Sequence, residues 1–266
     1  MRFLKNIKKL ILKPISVLRI VRLKSYHLFK NDHRRKYRMF QKDFKLFSEL
    51  GTKSTSRFVL DKKNWYPCLD DKTANTGFDF HYVYHTAWAA RTLKKISPAL
   101  HIDISSYLYF STILSAFIPV ESYDFRPANV ILTDLKMQSA DLCNLHFESN
   151  SIQSLSCMHV VEHIGLGRYG DPLDYDGDLK AFHELQRVLK PGGDLLFVVP
   201  IGKPNIMFNA HRIYSYHQII FYFKNLILQE FSLIPDNGFE TGIIENAGSE
   251  LADQQNYACG CFWFKK

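Results

Sequence analysis

From about residue 100 onward, short apolar runs alternate with stretches of helical period. Strands are expected at 101–105 (HIDIS), 120–125 (VESYDF), 128–135 (ANVILTDL), 152–161 (IQSLSCMHVV) and 194–200 (DLLFVVP). Further strands are expected at 226–235 (LILQEFSLIP) and 257–264 (YACGCFWF). Between them, 107–117, 176–189 and 212–226 carry apolar residues at helical spacing, with Asp176 or Asp178 placed to cap the second and Pro191-Gly192-Gly193 placed to stop it. Strand–helix alternation predicts a parallel or mostly parallel sheet covered on both faces.

The first hundred residues follow another pattern. Residues 3–23 place Phe3, Ile7, Ile11, Ile15 and Leu18 on one side of a helix, with Lys5, Lys8, Lys9 and Arg22 largely elsewhere and Pro14 as a kink. Residues 24–60 stay basic and helical, ending near Gly51, and residues 61–80 are turn-rich. Residues 81–96 form a further helix with Tyr84, Trp88 and Leu93 on its buried face. The expected organisation is a basic helical arm over 1–60, an irregular linker over 61–80 and an α/β domain over 81–266.

Charge sharpens this division. The formal net charge of +8 is concentrated in residues 1–45, where 15 Lys and Arg face only Asp32 and Asp43. The remainder is slightly acidic. A basic amphipathic segment suits the interface of an anionic membrane, so residues 1–45 are expected to make peripheral contact there, or else to pack as a helix with a solvated face. No groove-reading motif or aromatic stacking platform accompanies the charge, so nucleic acid is not an expected partner. The arm's apolar stretches are cut by Lys13, Pro14, Arg19 and Arg22, far short of the ~20 residues that a span needs. The expected location is cytoplasmic, with no export. The five cysteines, Cys68, Cys143, Cys157, Cys259 and Cys261, are odd in number and read as reduced, mostly buried thiols. Cys259-x-Cys261 has no nearby Cys/His pair, so no metal site is expected.

The segment from Asp141 to Pro200 carries the chemistry. It holds an acidic turn, Leu145–Phe147, a strand ending in Val160–His163, and a helix running into Arg187–Gly193 before the next strand. This resembles the second half of a class I S-adenosylmethionine-dependent methyltransferase. The stretch CMHVVEHIGLGRYGDPLD, followed by NAHRIYS, is similar to a methyltransferase-like family, domain of unknown function 268, over about residues 80–264. The resemblance implies a Rossmann-like class I methyltransferase sheet, S-adenosylmethionine as cofactor, and a glycan or other small-molecule acceptor in polysaccharide biosynthesis, methylated on oxygen.

Carried over by position, the resemblance assigns the cofactor to Asp103, Ser105, Asp124, Asp141, Leu142, Met158 and His159. Asp103 ends the first strand, but the glycines expected after it are replaced by Ser105-Ser106-Tyr107. Asp124 ends the second strand and suits two vicinal ribose hydroxyls. Asp141 and Leu142 match the positions flanking adenine. The short interval from Asp124 to Asp141 implies that the usual intervening helix is lost. His163, His211 and Glu162 are candidate general bases. Arg168, Asp171 and Arg212 are candidate substrate contacts; loop 165–178 does not fit an EF-hand register. The missing glycines leave an alternative: a non-catalytic interaction module of a membrane-associated polysaccharide assembly complex.

Overall fold

A computed structural model describes residues 30–51 and 58–266. Residues 1–29, which include the whole amphipathic segment 3–23 with Pro14, lie outside the described residues. The chain divides into two compact units, 1–77 and 78–266. In the first, residues 30–51 form helix α1, and Phe40 and Phe44 meet Trp65 edge-on at 5.1 and 4.9 Å. Lys36 Nζ donates to Asp70 at 2.7 Å. Among the described residues no helix is long and apolar enough to cross a membrane.

The second unit is built on a seven-stranded sheet. Its strands are β1 (His101–Ile104), β2 (Val120–Asp124), β3 (Leu135–Ser139), β4 (Ile152–Met158), β5 (Leu189–Ile201), β8 (Ile227–Ile234) and β9 (Ala258–Lys265); a separate ribbon pairs β6 (Asn205–Met207) with β7 (His211–Ile213). The spatial order is β3-β2-β1-β4-β5-β9-β8. The first five strands run parallel, and β9 is inserted antiparallel between β5 and β8. This is the Rossmann-like class I methyltransferase sheet that the sequence predicts.

Alternation along the central strands sorts side chains to the two faces. On β5, Leu195, Phe197, Val199 and Ile201 enter one core cluster, while Leu196 and Val198 enter the other. On β9, Phe262 and Phe264 join the first and Cys259 and Cys261 the second. The first cluster is covered by α4 (Gly177–Val188) and α5 (Tyr216–Tyr222), through Ala181, Phe182, Leu185 and Ile219. The second is covered by α2 (Phe80–Ile96) and α3 (Leu108–Leu114), through Trp88, Leu93, Phe110 and Leu114. On α2 the buried row is His81, His85, Trp88, Ala89, Thr92 and Leu93, with Tyr84 half-buried. Two short helices, α6 (Gly238–Thr241) and α7 (Ser249–Gln254), flank the last strands.

Three local expectations change. The third strand is Leu135–Ser139, not 128–135: Ile131 is 89% exposed, and the strand that forms is a mostly polar edge. Helix α4 stops at Val188, and Pro191-Gly192-Gly193 forms an out-of-register excursion inside β5, between the pairs Ile152–Leu189 and Ser154–Asp194. The segment 212–226 begins as strand β7 and turns helical only after Ser215, whose hydroxyl and Gln218 make a reciprocal cap. No helix separates β2 from β3, as the short interval implies.

Candidate active site

The strand order reverses between β1 and β4, so a crevice opens beyond their carboxyl ends. Strand β4 stops at Met158. His159 then takes a left-handed backbone, φ +57°, while its N–H still donates to the Val198 carbonyl at 2.8 Å. The single 3-10 turn Val161–His163 follows. This kink brings His159, Glu162 and His163 to one side, where they line a cavity of about 750 Å³ with His81, Tyr82, Arg168, Tyr169, Asn209, His211, Phe239 and Tyr257.

The three candidate bases are thereby brought together. Glu162 is 1% exposed. Its Oε1 accepts from His159 Nδ1 at 2.8 Å and lies 3.8 Å from His163 Nε2. Its Oε2 is buried without a hydrogen-bond partner. His163 Nδ1 donates to the Ala210 carbonyl at 2.6 Å. A carbonyl only accepts, so the Nδ1 proton is fixed there. The His211 ring, at the start of β7, lies tilted against Tyr257 with centroids 4.8 Å apart and stands 6.5 Å from His163. Its Nε2 has no partner, and burial pushes its pKa below the usual histidine value, keeping the ring neutral.

Arg168 stays at the cavity, donating to the Ala210 carbonyl at 3.2 Å with its guanidinium over Tyr169 at 5.1 Å. Arg126, just past β2, lies over the same ring at 4.7 Å. The other two candidate substrate contacts differ from expectation. Arg212 is 5% exposed, and its Nη1 and Nη2 donate to the Ile164 and Tyr175 carbonyls at 2.6 and 3.0 Å. Both Asp171 oxygens accept loop amides, from Gly165, Gly167 and Tyr169. Both residues are engaged in building the 165–178 loop. Gly165 is required there: φ is +78°, and a Cβ would stand 2.0 Å from the Asp174 carbonyl oxygen.

The cofactor positions divide in the same way. Asp124 is half-buried at the end of β2, with Oδ1 accepting from the Arg126 amide at 2.6 Å. Asp141 is exposed and makes an Asx-turn to the Cys143 amide at 2.8 Å. Ser105 adopts φ +54°, the left-handed conformation that a glycine would take, and its hydroxyl donates to the Tyr123 carbonyl at 3.2 Å. Three residues depart from the expected role. Asp103 is fully buried, receiving hydroxyl bonds from Ser111 and Ser156 at 2.8 and 2.5 Å, and burial raises its pKa. Leu142 and Met158 point into the two cores. Asp103, Ser105, Asp124, Asp141, Leu142 and Met158 do not line the 750 Å³ cavity; His159 does.

Sequence reasoning did not single out His81, Tyr82, Tyr169, Asn209 or Tyr257, and it read Cys259 only as a buried thiol without metal partners. Tyr82 on α2 lies 5.1 Å from Tyr107, in the turn after β1, and 5.3 Å from His159, after β4. It spans the mouth between the two central strands. The only sequence signal was His81 and His85, four apart on one helical face.

Among solved structures, the YcgJ protein from Bacillus subtilis is 14% identical, with 69% of this chain and 98% of that one covered and a TM-score of 0.48. A putative sarcosine dimethylglycine methyltransferase from Galdieria sulphuraria is 15% identical, covering 69% and 86%, with a TM-score of 0.49. The Burkholderia thailandensis 1,6-didemethyltoxoflavin-N1-methyltransferase, with bound 1,6-didemethyltoxoflavin and S-adenosylhomocysteine, is 9% identical, covering 68% and 78%, with a TM-score of 0.48. No curated protein matches the chain. Residues 130–235 match the family described as "Caenorhabditis protein of unknown function, DUF268", and the segment Asp141–Pro200 that carried the sequence resemblance lies wholly inside that match.

Proposed function

We propose that this protein is an S-adenosylmethionine-dependent methyltransferase that methylates a hydroxyl of a glycan or glycan precursor. The observation that carries the reading is a coincidence of place. The β3-β2-β1-β4-β5-β9-β8 sheet has its crevice beyond β1 and β4, and the cavity with the unpartnered His211 and Glu162 atoms opens beyond the end of β4. S-adenosylmethionine, when bound, supplies the methyl group.

The residues present fit that cofactor in part. Asp124, with one oxygen engaged, would hold the ribose hydroxyls, and the left-handed Ser105 turn lets the backbone come close although no glycine is there. Asp141 would stand near the adenine. The chain's own chemistry lies in the cavity. His211 Nε2, neutral and without a partner, would take the proton of the acceptor hydroxyl. Glu162 holds the His159 ring, and Arg168 would bind a phosphate or carboxylate of the acceptor. The basic residues of α1, Arg34, Arg35, Arg38 and Lys42, are part of the positive charge of residues 1–45 and support a peripheral contact with an anionic membrane.

One observation favours a second reading. The Ser105 hydroxyl is committed to a carbonyl, and Tyr82 and Tyr107 crowd the mouth that a cofactor would enter. In a non-catalytic interaction module of a polysaccharide assembly complex these groups would simply close the crevice. The experiment that separates the readings is mass spectrometry of surface glycans from cells with and without the gene. Loss of one methyl group per repeat, restored by the wild-type gene and not by a His211→Asn gene, supports the enzyme. Unchanged methylation with lost glycan assembly supports the module.

A further inference from the structure

Three residues that are far apart in sequence meet beneath the cavity floor. His81 comes from the first turn of α2, His159 from the kink after β4, and Cys259 from β9. One ligand atom from each lies within 4.8 Å of the other two, and all three side chains are buried. Cys259 Sγ is 3.3 Å from His159 Nε2. The His81 and His159 rings are stacked, with centroids 5.7 Å apart. We propose that His81, His159 and Cys259 form a binding site for a borderline-soft divalent cation, with Zn²⁺ the fitting ion, whose fourth position opens to the cavity.

Four observations carry this. First, His81 is 6% exposed and its Nε2 has no hydrogen-bond partner. An unpaired ring nitrogen in a dry site is costly unless something accepts its lone pair. Second, His159 is oriented as a metal ligand would be: Nδ1 faces the Glu162 carboxylate at 2.8 Å, which leaves the Nε2 lone pair toward Cys259. A carboxylate behind a ligating histidine is the usual outer support of a zinc site. Third, Glu162 pairs with no lysine or arginine among the described residues, and its Oε2 is buried without a partner. A dication held on His159 would compensate that charge. Fourth, the donor set is one sulfur and two imidazole nitrogens, which selects Zn²⁺ over the oxygen-seeking Mg²⁺ and Ca²⁺.

The distances are close to what zinc needs. Zn–N of about 2.0 Å and Zn–S of about 2.3 Å in a tetrahedron set ligand–ligand separations of roughly 3.3–3.6 Å. The Cys259–His159 pair already meets this, and rotation of the His81 ring closes the remainder. Three protein ligands with an open fourth position is the arrangement of a catalytic site rather than a purely structural one. His81 and His159 both line the cavity, so that position would take a water or an acceptor hydroxyl within reach of the groups around His211. The metal site stands independently of methyl transfer; only its suggested use on an acceptor rests on that reading.

The test is metal content and cobalt spectroscopy on the full chain. Protein from zinc-supplemented culture, desalted and analysed by inductively coupled plasma mass spectrometry, should hold about one Zn²⁺ per chain. After chelation and loading with Co²⁺, a thiolate-to-cobalt charge-transfer band should appear with intense tetrahedral d–d bands. Cys259→Ser should abolish the charge-transfer band. His81→Asn, which spares the β9 core, should weaken Zn²⁺ binding by at least about tenfold while keeping the sulfur band, and Glu162→Gln should weaken it about 10- to 100-fold. Trace zinc and no cobalt band in folded wild-type protein would overturn the site, as would Zn²⁺ affinity unchanged in His81→Asn. Cofactor titration of the chelated protein reads the methyltransferase proposal separately, so the two can fail independently.

Discussion

Two clusters of buried histidine and carboxylate lie on the same sheet, and they are built differently. In the first, His101 on β1 meets the Ser154 and Ser156 hydroxyls at 2.8 and 2.9 Å, and Asp103 receives Ser156 and Ser111. Both ring nitrogens and both carboxylate oxygens are engaged, the last with Ser122 at 3.4 Å. In the second, His81, Glu162 and His211 each leave a buried polar atom without a partner, and all three line the cavity. Buried polar groups in a stable interior are mostly satisfied, so three unpartnered atoms gathered at one cavity call for an explanation, and a ligand there is one. The first cluster is architecture. The second is the one on which the proposed chemistry rests. Asp103, which the family pattern assigns to the cofactor, belongs with the architecture.

The contrast can be broken from either side. The largest expected effect is in the second cluster: His211→Asn should lower methyl transfer roughly 100- to 10,000-fold with the circular dichroism spectrum and urea midpoint unchanged. The same kind of deletion in the first cluster should act on stability. Ser156→Ala removes the hydroxyl that serves both Asp103 Oδ1 and His101 Nε2, at about 1–3 kcal/mol for a group left unpaired. Equilibrium urea unfolding measures it, and an unchanged midpoint would contradict the structural role. Gly165→Ala should cost at least roughly 1–3 kcal/mol, because left-handed backbone and the close Asp174 carbonyl both oppose a side chain. Its loss should appear as increased proteolysis within 165–178.

Acid should test the first cluster more gently. Burial lowers the pKa of His101 to about 3 from 6.5. A depressed folded value means that His101 contributes stability above about pH 6.5. That stability is lost as pH falls toward 3, because the unfolded chain takes up a proton that the folded chain refuses. Urea midpoints measured from pH 7 to 4 should therefore fall, and His101→Gln, which keeps a polar group between Ser154 and Ser156, should flatten the decline. An equally steep decline in that variant would remove His101 from the account.

The legibility of the sequence follows the same divide. Apolar runs buried on both faces, such as 194–200, announced their strands, and the sheet class followed from strand–helix alternation. The edge strand β3 did not, since Leu135–Ser139 has one buried residue in five and the more apolar 128–135 precedes it as a loop. The Pro191-Gly192-Gly193 excursion reads as a helix stop because the signals for a stop and for a bulge are the same residues. In the site, His163, Glu162 and His211 were legible because a recognisable motif holds two of them and the third follows the next strand. The juxtaposition of His81 with Cys259, read only as a buried thiol, was not. Their meeting depends on α2 covering the same sheet face to which β9 sends alternate side chains. No local spacing encodes that. The loop hydrogen bonds of Arg212 and Asp171 were not legible, because a charged residue in a loop reads alike whether it holds a ligand or the loop itself.

The most direct test of the account is isothermal titration of the full chain with S-adenosylhomocysteine, beside an Asp124→Ala variant. The account predicts saturable micromolar binding that weakens at least about tenfold in Asp124→Ala, a loss of about 1.4 kcal/mol or more. Absence of binding by folded wild-type protein, or binding untouched by the substitution, would contradict a cofactor held at the end of β2.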